Sequence, residues 1–115
     1  MTPQELQELI DYDPETGDLT WKARKPEMFN DENQSQQTSW NTRYAGTPAL
    51  ATVINGFKRG KIFGKQFYAH RVAFAIHTGL MPEVVEHISD DTLDNRPENL
   101  RASDYSAVAY AREAK

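Results

Sequence analysis

The sequence predicts an α+β fold in which short antiparallel strands alternate with helices. Two segments have the capping residues and apolar spacing of helices, one beginning at Thr2 and one ending at Gly79. Between them, residues 46–68 combine β-branched and aromatic residues with four glycines, which is typical of short strands joined by tight turns. A chain of 115 residues has the usual size of one domain. We therefore expect a single domain over 1–115, with a β-rich part and a helix in 1–80 and a separate core motif in 81–115.

The first elements follow from local signals. Thr2 is the expected N-cap, Pro3 takes the first helical position, and the apolar spacing carries the helix to about Ile10. The stretch DYDPETGDLTW then predicts a hairpin with a Pro-Glu-Thr-Gly turn. Residues 27–42 are polar and have no period, so they predict a long exposed loop.

The second half alternates helix and strand signals. AHRVAFAIHTG predicts a helix that ends at Gly79, and EVVEHI predicts a short strand. Asn95 and Glu98 have the spacing of a capping box and predict another helix start. Ser103 is the expected cap of a final alanine-rich helix.

Charge is unevenly distributed along the chain, whose formal net charge is -4. Residues 1–20 carry six acidic residues and no basic one, and residues 80–104 carry seven acidic residues against Arg96 and Arg101. Residues 57–71 carry five basic residues and no acidic one. This pattern indicates a polarised molecule with one basic stripe, although the net charge argues against a general nucleic-acid binder.

Aromatic and histidine residues need separate interpretations. Most of the aromatic side chains are expected in the core, and Phe57 is the best candidate for an exposed ring beside basic residues. The core set is Trp21, Trp40, Phe63, Phe67, Tyr68 and Phe74. His77 is expected to be a partly buried core residue, whereas His70 ends the basic stripe and could meet a phosphate.

The stretch EHISDDTLDNRPENLR suggests phosphodiester chemistry. Metal-assisted hydrolysis needs a cation on the phosphate and a base that activates water. Glu86 could bind the cation and His87 could be the base, if the strand bends after them. The amides of Asn95 and Asn99 could hold the histidine's second nitrogen or a strand carbonyl. The alternative is that His87 is a surface or capping residue and the acidic run is a solvated face.

Composition limits which metal the protein could bind and in which cellular compartment we expect it. With no cysteine, a metal would be held by oxygen and imidazole donors, which suits Mg²⁺ or Mn²⁺ at least as well as zinc. No apolar run approaches the roughly 18 residues needed to span a bilayer, so we expect a cytoplasmic protein without a membrane partner.

Three segments together resemble the small HNH endonucleases of bacteriophages, including the free-standing homing type. They are YDPETGDLTWKARKP, NGFKRGKIFGKQFYAHRVAFAIHTGLMPE and EHISDDTLDNRPENLR. The resemblance implies a ββα-metal motif in 81–115, preceded by short β-hairpins and a helix. It also implies double-stranded DNA as substrate and the cytoplasm of a host cell as location.

The resemblance assigns roles to single residues. His87 corresponds to the general base, Asn99 to the asparagine that orients it, Asn95 to the asparagine at the following turn, and Glu86 to the metal ligand that is most often aspartate. The last metal ligand of the family falls near Ala107 and Val108, neither of which can bind an ion, so the resemblance implies a degraded metal site. Nearby carboxylates could substitute, and they are Asp90, Asp91, Asp94 and Asp104.

Three functions remain open from the sequence. The first is an HNH endonuclease that nicks or cuts DNA with Mg²⁺ or Mn²⁺. Its expected DNA-contacting residues are Lys58, Arg59, Lys61, Lys65, His70, Arg71, Arg96 and Arg101. The second is an inactive descendant with no cofactor, which binds and inhibits a host or phage protein complex, such as a defence system or a polymerase, through its acidic surfaces. The third is a DNA-binding module that does not cut.

Overall fold

Helix α3 lies at the centre of the structure, which is a computed structural model describing residues 1–29 and 35–102. Around it are α1, β4, β5 and the last hairpin, all in contact with α3. The elements in chain order are α1 (Pro3–Leu9), β1 (Ile10–Tyr12), β2 (Leu19–Trp21), α2 (Ser35–Tyr44), β3 (Thr52–Ile54), β4 (Phe57–Ile62), β5 (Lys65–Tyr68), α3 (Ala69–Thr78), β6 (Val85–His87) and β7 (Leu100–Ala102). The predicted α+β class is confirmed.

The strands form three small antiparallel sheets within the described residues. β1 pairs with β2, β3 and β5 flank β4, and β6 pairs with β7. One hydrophobic core joins these sheets to the helices, because residues as far apart as Leu6, Ile62, Val72 and Leu100 belong to the same buried cluster. No helix in the described part of the chain is long and apolar enough to cross a membrane.

The helix ends show how local sequence fixes these elements. The hydroxyl of Thr2 accepts from the backbone N–H of Glu5 at 3.2 Å, which confirms the predicted N-cap of α1. At the other predicted boundary, Gly79 caps α3 in the left-handed conformation, and its N–H donates to Ala75 at 2.8 Å. The hairpin β1–β2 is also confirmed.

Helix α2 corrects the prediction of a loop over 27–42. It buries no side chain completely, which explains why its sequence has no apolar period. It is held instead by polar contacts to Arg24: the Asn41 side chain bonds both the N–H and the carbonyl of Arg24, and Gln37 donates to the same carbonyl. Trp40 adds an edge contact to Trp21. Tertiary contacts, and not periodicity, therefore position α2.

The predicted helix start at Asn95 is also wrong. Residues Pro97–Asn99 form a single 3₁₀ turn that leads directly into β7. The capping-box partner Glu98 pairs with Arg96 at 3.2 Å, and the Arg96 N–H bonds to the Asp94 carboxylate. The side chain of Asn95 is engaged elsewhere. The final helix predicted after Ser103 lies outside the described residues.

Three predictions of burial fail as well. His77 is exposed on α3, with only an edge contact to the Tyr12 ring. Phe63, expected in the core, is 55% exposed at the β4–β5 turn, and Tyr68 is 40% exposed. Tyr68 lies on the solvent side of the sheet formed by β3, β4 and β5, and Phe63 lies in the turn that joins β4 to β5.

Candidate active site

His87 ends strand β6 and faces an open cavity of about 450 Å³. The cavity lies between the last hairpin and the β3–β5 sheet. Its lining residues are Phe57, Tyr68, His70, Val85, Glu86, His87, Ser89, Asp90 and Thr92. The Thr92 hydroxyl donates to the Gly56 carbonyl, which fastens the loop after β6 to the turn between β3 and β4. The site is thus assembled from segments more than 30 residues apart.

Asn95 fixes the orientation of the His87 ring. Its Oδ1 atom lies 2.7 Å from His87 Nε2, and its side chain is almost completely buried. An amide oxygen only accepts hydrogen bonds, so this contact requires a proton on Nε2. In the neutral ring Nδ1 then carries the lone pair, and no described residue bonds to it. The geometry therefore leaves Nδ1 as the nitrogen that can take a proton.

The N-terminal hairpin in turn holds Asn95. The hydroxyl of Tyr12 donates to the Asn95 carbonyl. Burial, followed by the charges of Glu98, Asp94 and Asp13, raises the pKa of Tyr12 to about 12, so the hydroxyl keeps its proton at neutral pH. Gly17, at the hairpin turn, approaches so closely that a Cβ atom there would lie 2.7 Å from the backbone of Asn95.

Asn99 organises the loop between His87 and Asn95. Its Oδ1 atom accepts from the Ser89 N–H at 2.8 Å, and its Nδ2 donates to the Asp94 carbonyl at 2.8 Å. Its own carbonyl accepts from the Ile88 N–H. The buried Asn99 side chain therefore takes the place of backbone–backbone hydrogen bonds where β6 ends, and the chain bends just after His87.

His70 lies directly against His87, with ring centroids 4.7 Å apart. Burial is the main cause that lowers the pKa of His70 to about 4, with smaller contributions from His87 and Arg71, while a hydrogen bond to the backbone of Val85 opposes the shift. The ring is therefore neutral at physiological pH. It supplies a wall of the cavity that adds no repulsive positive charge beside His87.

Glu86 is paired with a cation in the structure. It lies opposite Arg101 in the β6–β7 register, and Arg101 contacts its carboxylate through Nε at 3.1 Å and through the terminal nitrogen at 3.0 Å. Within the described residues, no group of three or more His, Asp or Glu side chains could hold a metal ion. The positions of Ala107 and Val108, and of Asp104, lie outside the described residues.

The basic residues expected to contact DNA are not all on one surface. Arg59 and Lys61 lie on the solvent side of the β3–β5 sheet, whereas Lys58 lies on the opposite side and approaches Asp18 at 4.0 Å. Arg96 pairs with Asp94 at 2.7 Å and Arg101 with Glu86. Lys65 and Arg71 line a different cavity, and His70 is buried beside His87.

Comparison with protein families gives one match, over residues 67–109. This segment matches the HNH endonuclease family. The HNH segment, residues 67–109, runs from β5 through α3 to β7 and beyond the described part, and it contains His87, Asn95 and Asn99. It covers less than half of the chain. Comparisons with curated proteins and with solved structures gave no match.

The match points to a nuclease-like function for this segment. Tyr12 and Gly17 lie outside the HNH segment, and sequence reasoning gave neither of them a role at the site. The only signal for Gly17 was its place in the Pro-Glu-Thr-Gly turn. Tyr12 begins the segment YDPETGDLTWKARKP, but nothing in that segment indicates its partner Asn95, which is 83 residues away.

Proposed function

We propose that this protein binds double-stranded DNA and hydrolyses a phosphodiester bond, with His87 as the general base. The observation that carries the proposal is the contact between His87 Nε2 and the buried Asn95 Oδ1. A histidine is the side chain best suited to exchange a proton near neutral pH, and a fixed tautomer directs which nitrogen does so.

The reaction follows from this arrangement. His87 Nδ1 takes a proton from a water molecule, the water oxygen forms a bond to phosphorus, and the bond from phosphorus to the leaving sugar oxygen breaks. The leaving oxygen takes a proton from solvent, and the imidazolium later returns its proton to water. Asn95 keeps the neutral ring in the required tautomer before the transfer and still accepts from Nε2–H afterwards, as an outer partner that orients a reacting group. Asn99 holds the loop, so that the cavity stays open beside the base.

A divalent ion would stabilise the charge that develops on the phosphate. Among the described residues, two carboxylates line the cavity of the base, Glu86 and Asp90, and Arg101 pairs with Glu86. Within the described residues, this set is not by itself a metal site. Mg²⁺ or Mn²⁺ remains the cofactor proposed from the family, and its ligands would have to include groups other than Glu86.

The solvent side of the β3–β5 sheet supports DNA as the partner. Phe57, Arg59 and Lys61 alternate on this side of β4, and Tyr68 and Gln66 lie directly opposite the last two on β5. The other side packs on the core, since Ile62 is fully buried and a Cβ atom at Gly60 would lie 3.0 Å from Leu50. A duplex on this sheet would contact two cations beside the His87 cavity.

Nicking of supercoiled plasmid tests the proposal. The parent protein should nick the plasmid in Mg²⁺ or Mn²⁺, and His87→Ala should lower the rate by about 10²- to 10⁴-fold, which is the usual contribution of a general base. His77→Gln is the matched control, because His77 is exposed on α3 and should leave the rate unchanged.

The outcomes separate the alternatives. Equal rates for the parent and for His87→Ala would overturn the assignment of the base. Tight duplex binding without nicking under any metal condition would favour a DNA-binding module that does not cut. If the protein neither nicks the plasmid nor binds duplex DNA at moderate salt, the remaining role is that of a protein that inhibits another complex.

A further inference from the structure

A second cavity lies at the far end of strand β4. It measures about 400 Å³, and its lining residues are Trp21, Arg24, Trp40, Tyr44, Lys61, Phe63 and Gly64. We call these residues the Arg24 patch. None of them lies in the HNH segment, which begins at residue 67. The patch therefore belongs to the part of the chain that the family match leaves without a role.

The guanidinium of Arg24 is enclosed by aromatic rings. It lies 3.9 Å from the centroid of Trp40, 4.5 Å from Phe63 and 5.3 Å from Trp21. Such contacts stabilise a cation through the negative faces of the rings. They also make a surface in which flat aromatic groups and a flat cation are presented together.

Arg24 has no anionic partner among the described residues. The residue is only 8% exposed, and its Nε atom is buried without a hydrogen-bond acceptor within the described part of the chain. A buried donor left without an acceptor is costly, and in native proteins it often marks a place where a water, an ion or a ligand binds. Arg24 lines the cavity, so an anionic or polar ligand entering it would reach the guanidinium.

Phe63 is held in an unusual backbone conformation at the edge of this patch. The turns at Asn55-Gly56 and Phe63-Gly64 both have positive φ at both central residues, and φ is 54° at Asn55 and 50° at Phe63. Asparagine tolerates this conformation, whereas an aromatic residue rarely adopts it. The strain keeps a ring that is 55% exposed beside Arg24, and retained strain of this kind is typical of binding sites.

The solvent side of the sheet connects the Arg24 patch to the His87 cavity. Phe57 lines the His87 cavity, Lys61 lines the patch, and Arg59 lies between them on the same side of β4. At about 3.3 Å per residue, the four steps from Phe57 to Lys61 span about 13 Å. No acidic residue occurs in 57–71, and Arg59 and Lys61 give this side of β4 two positive charges.

Acidic residues border the patch on its other side. Glu5 and Glu8 of α1 line a small cavity with Phe63 and Met28. Their charge disfavours an anionic chain that approaches over α1. A polyanion is thereby directed along β4, from the patch toward the His87 cavity, and an acidic peptide would meet the same repulsion without gaining from the stacking surface.

We propose that the Arg24 patch binds an unpaired, single-stranded segment of nucleic acid, with a base stacked on Phe63 and the neighbouring phosphates at Lys61 and Arg24. Aromatic faces stack on bases that have left the duplex, and single-strand sites combine such faces with positive charge. As a second DNA contact the patch rests on the proposed function, but its affinity for single strands can be measured without any cleavage.

The two tryptophans provide a local probe, because the chain contains only two and both line the patch. In the His87→Ala protein, a 12-nucleotide oligothymidine should quench tryptophan fluorescence, and a blunt 12-base-pair duplex should do so less at equal concentration. Phe63→Asn removes the ring and gives the turn the same residues as Asn55-Gly56, so it should fold at least as well. Loss of one stacked base should weaken oligothymidine binding by about 5- to 150-fold.

Leu80→Asn is the matched control, since Leu80 is 63% exposed and lies outside the patch. It should bind the oligonucleotide as the parent does. Unchanged binding in Phe63→Asn, or no quenching by oligothymidine, would overturn the inference. Stronger quenching by a polyglutamate peptide than by oligothymidine would also overturn it, in favour of a protein partner.

Plasmid nicking by the parent protein separates the two proposals. If nicking persists while oligothymidine does not bind, only the inference fails. If oligothymidine binds at the patch while nicking is absent, the inference stands and the proposed function fails.

Discussion

The two neighbouring residues of the candidate site, His87 and Glu86, are built into the protein in opposite ways. His87 is held by the buried Asn95, and Asn95 is held by the Tyr12 hydroxyl and by the close turn at Gly17. Glu86 is held by Arg101, and both side chains of this ion pair are well exposed. The comparison teaches that the fold maintains the orientation of the base more strictly than the position of the carboxylate.

Among the residues that support His87, loss of Asn95 should have the largest effect on activity. Asn95→Ala removes the acceptor for Nε2–H, so the ring can adopt the other tautomer and rotate, and the nicking rate should fall by about 10- to 100-fold. Asn95→Asp keeps the acceptor and adds a negative charge that favours the imidazolium. The rising limb of its pH–rate profile should therefore move to higher pH, and an unmoved profile would argue that Asn95 has only a structural role.

Gly17→Ala should have the largest effect on stability. The backbone has φ of +82° there, and the added Cβ would collide with the backbone of Asn95 and Arg96 at 2.7 Å. Gly46→Ala is the matched control, because its φ is +84° and nothing lies within 4 Å of the added atom. The control should cost about 1–2 kcal/mol from backbone strain, and Gly17→Ala should cost more in urea unfolding. Equal losses would show that the hairpin does not press on Asn95.

Tyr12→Phe should have a smaller effect that depends on pH. Removing the hydroxyl that donates to the Asn95 carbonyl should lower the free energy of unfolding by about 0.5–1.5 kcal/mol. The folded-state pKa of Tyr12 is raised from 10.0 to about 12, so this contribution is fully present below pH 10 and is lost as the pH rises toward 12. Thermal unfolding of both proteins at pH 7 and pH 11 measures the difference, which should be smaller at pH 11 than at pH 7.

Arg101→Gln should have the smallest effect. The ion pair with Glu86 is exposed, so its loss should change the free energy of unfolding by less than about 1 kcal/mol. Denaturant unfolding at low and high salt checks this, and Glu83→Gln, which changes an exposed charge elsewhere, is a control. A loss of several kcal/mol would mean that Glu86 is held as strictly as His87.

The parts of the fold that depend on neighbouring residues could be predicted from the sequence. Thr2 and Gly79 mark helix ends whose hydrogen bonds close within four residues, and the β1–β2 turn is equally local. The parts that depend on distant contacts could not. Helix α2 has no apolar period, since its anchors are Arg24 and Trp21 on another segment.

The candidate site shows the same division. The residues His87, Asn95 and Asn99 were singled out from one stretch of sequence, and the structure places Asn95 and the loop held by Asn99 beside His87. Asn95 was also given a capping role, which is wrong because its side chain is committed to the histidine. The support from Tyr12 and the exposure of Phe63 were not predicted, since neither pattern nor propensity reports which distant backbone a side chain meets.

The tautomer of His87 is the most direct test of the account, and nitrogen chemical shifts of ¹⁵N-labelled protein report it. The His87 signals can be assigned by their loss in His87→Ala. For the neutral form of the ring, we expect a proton on Nε2 and an unprotonated Nδ1, and we expect this preference to disappear in Asn95→Ala. A ring protonated at Nδ1, or one that averages both tautomers in the parent protein, would contradict it.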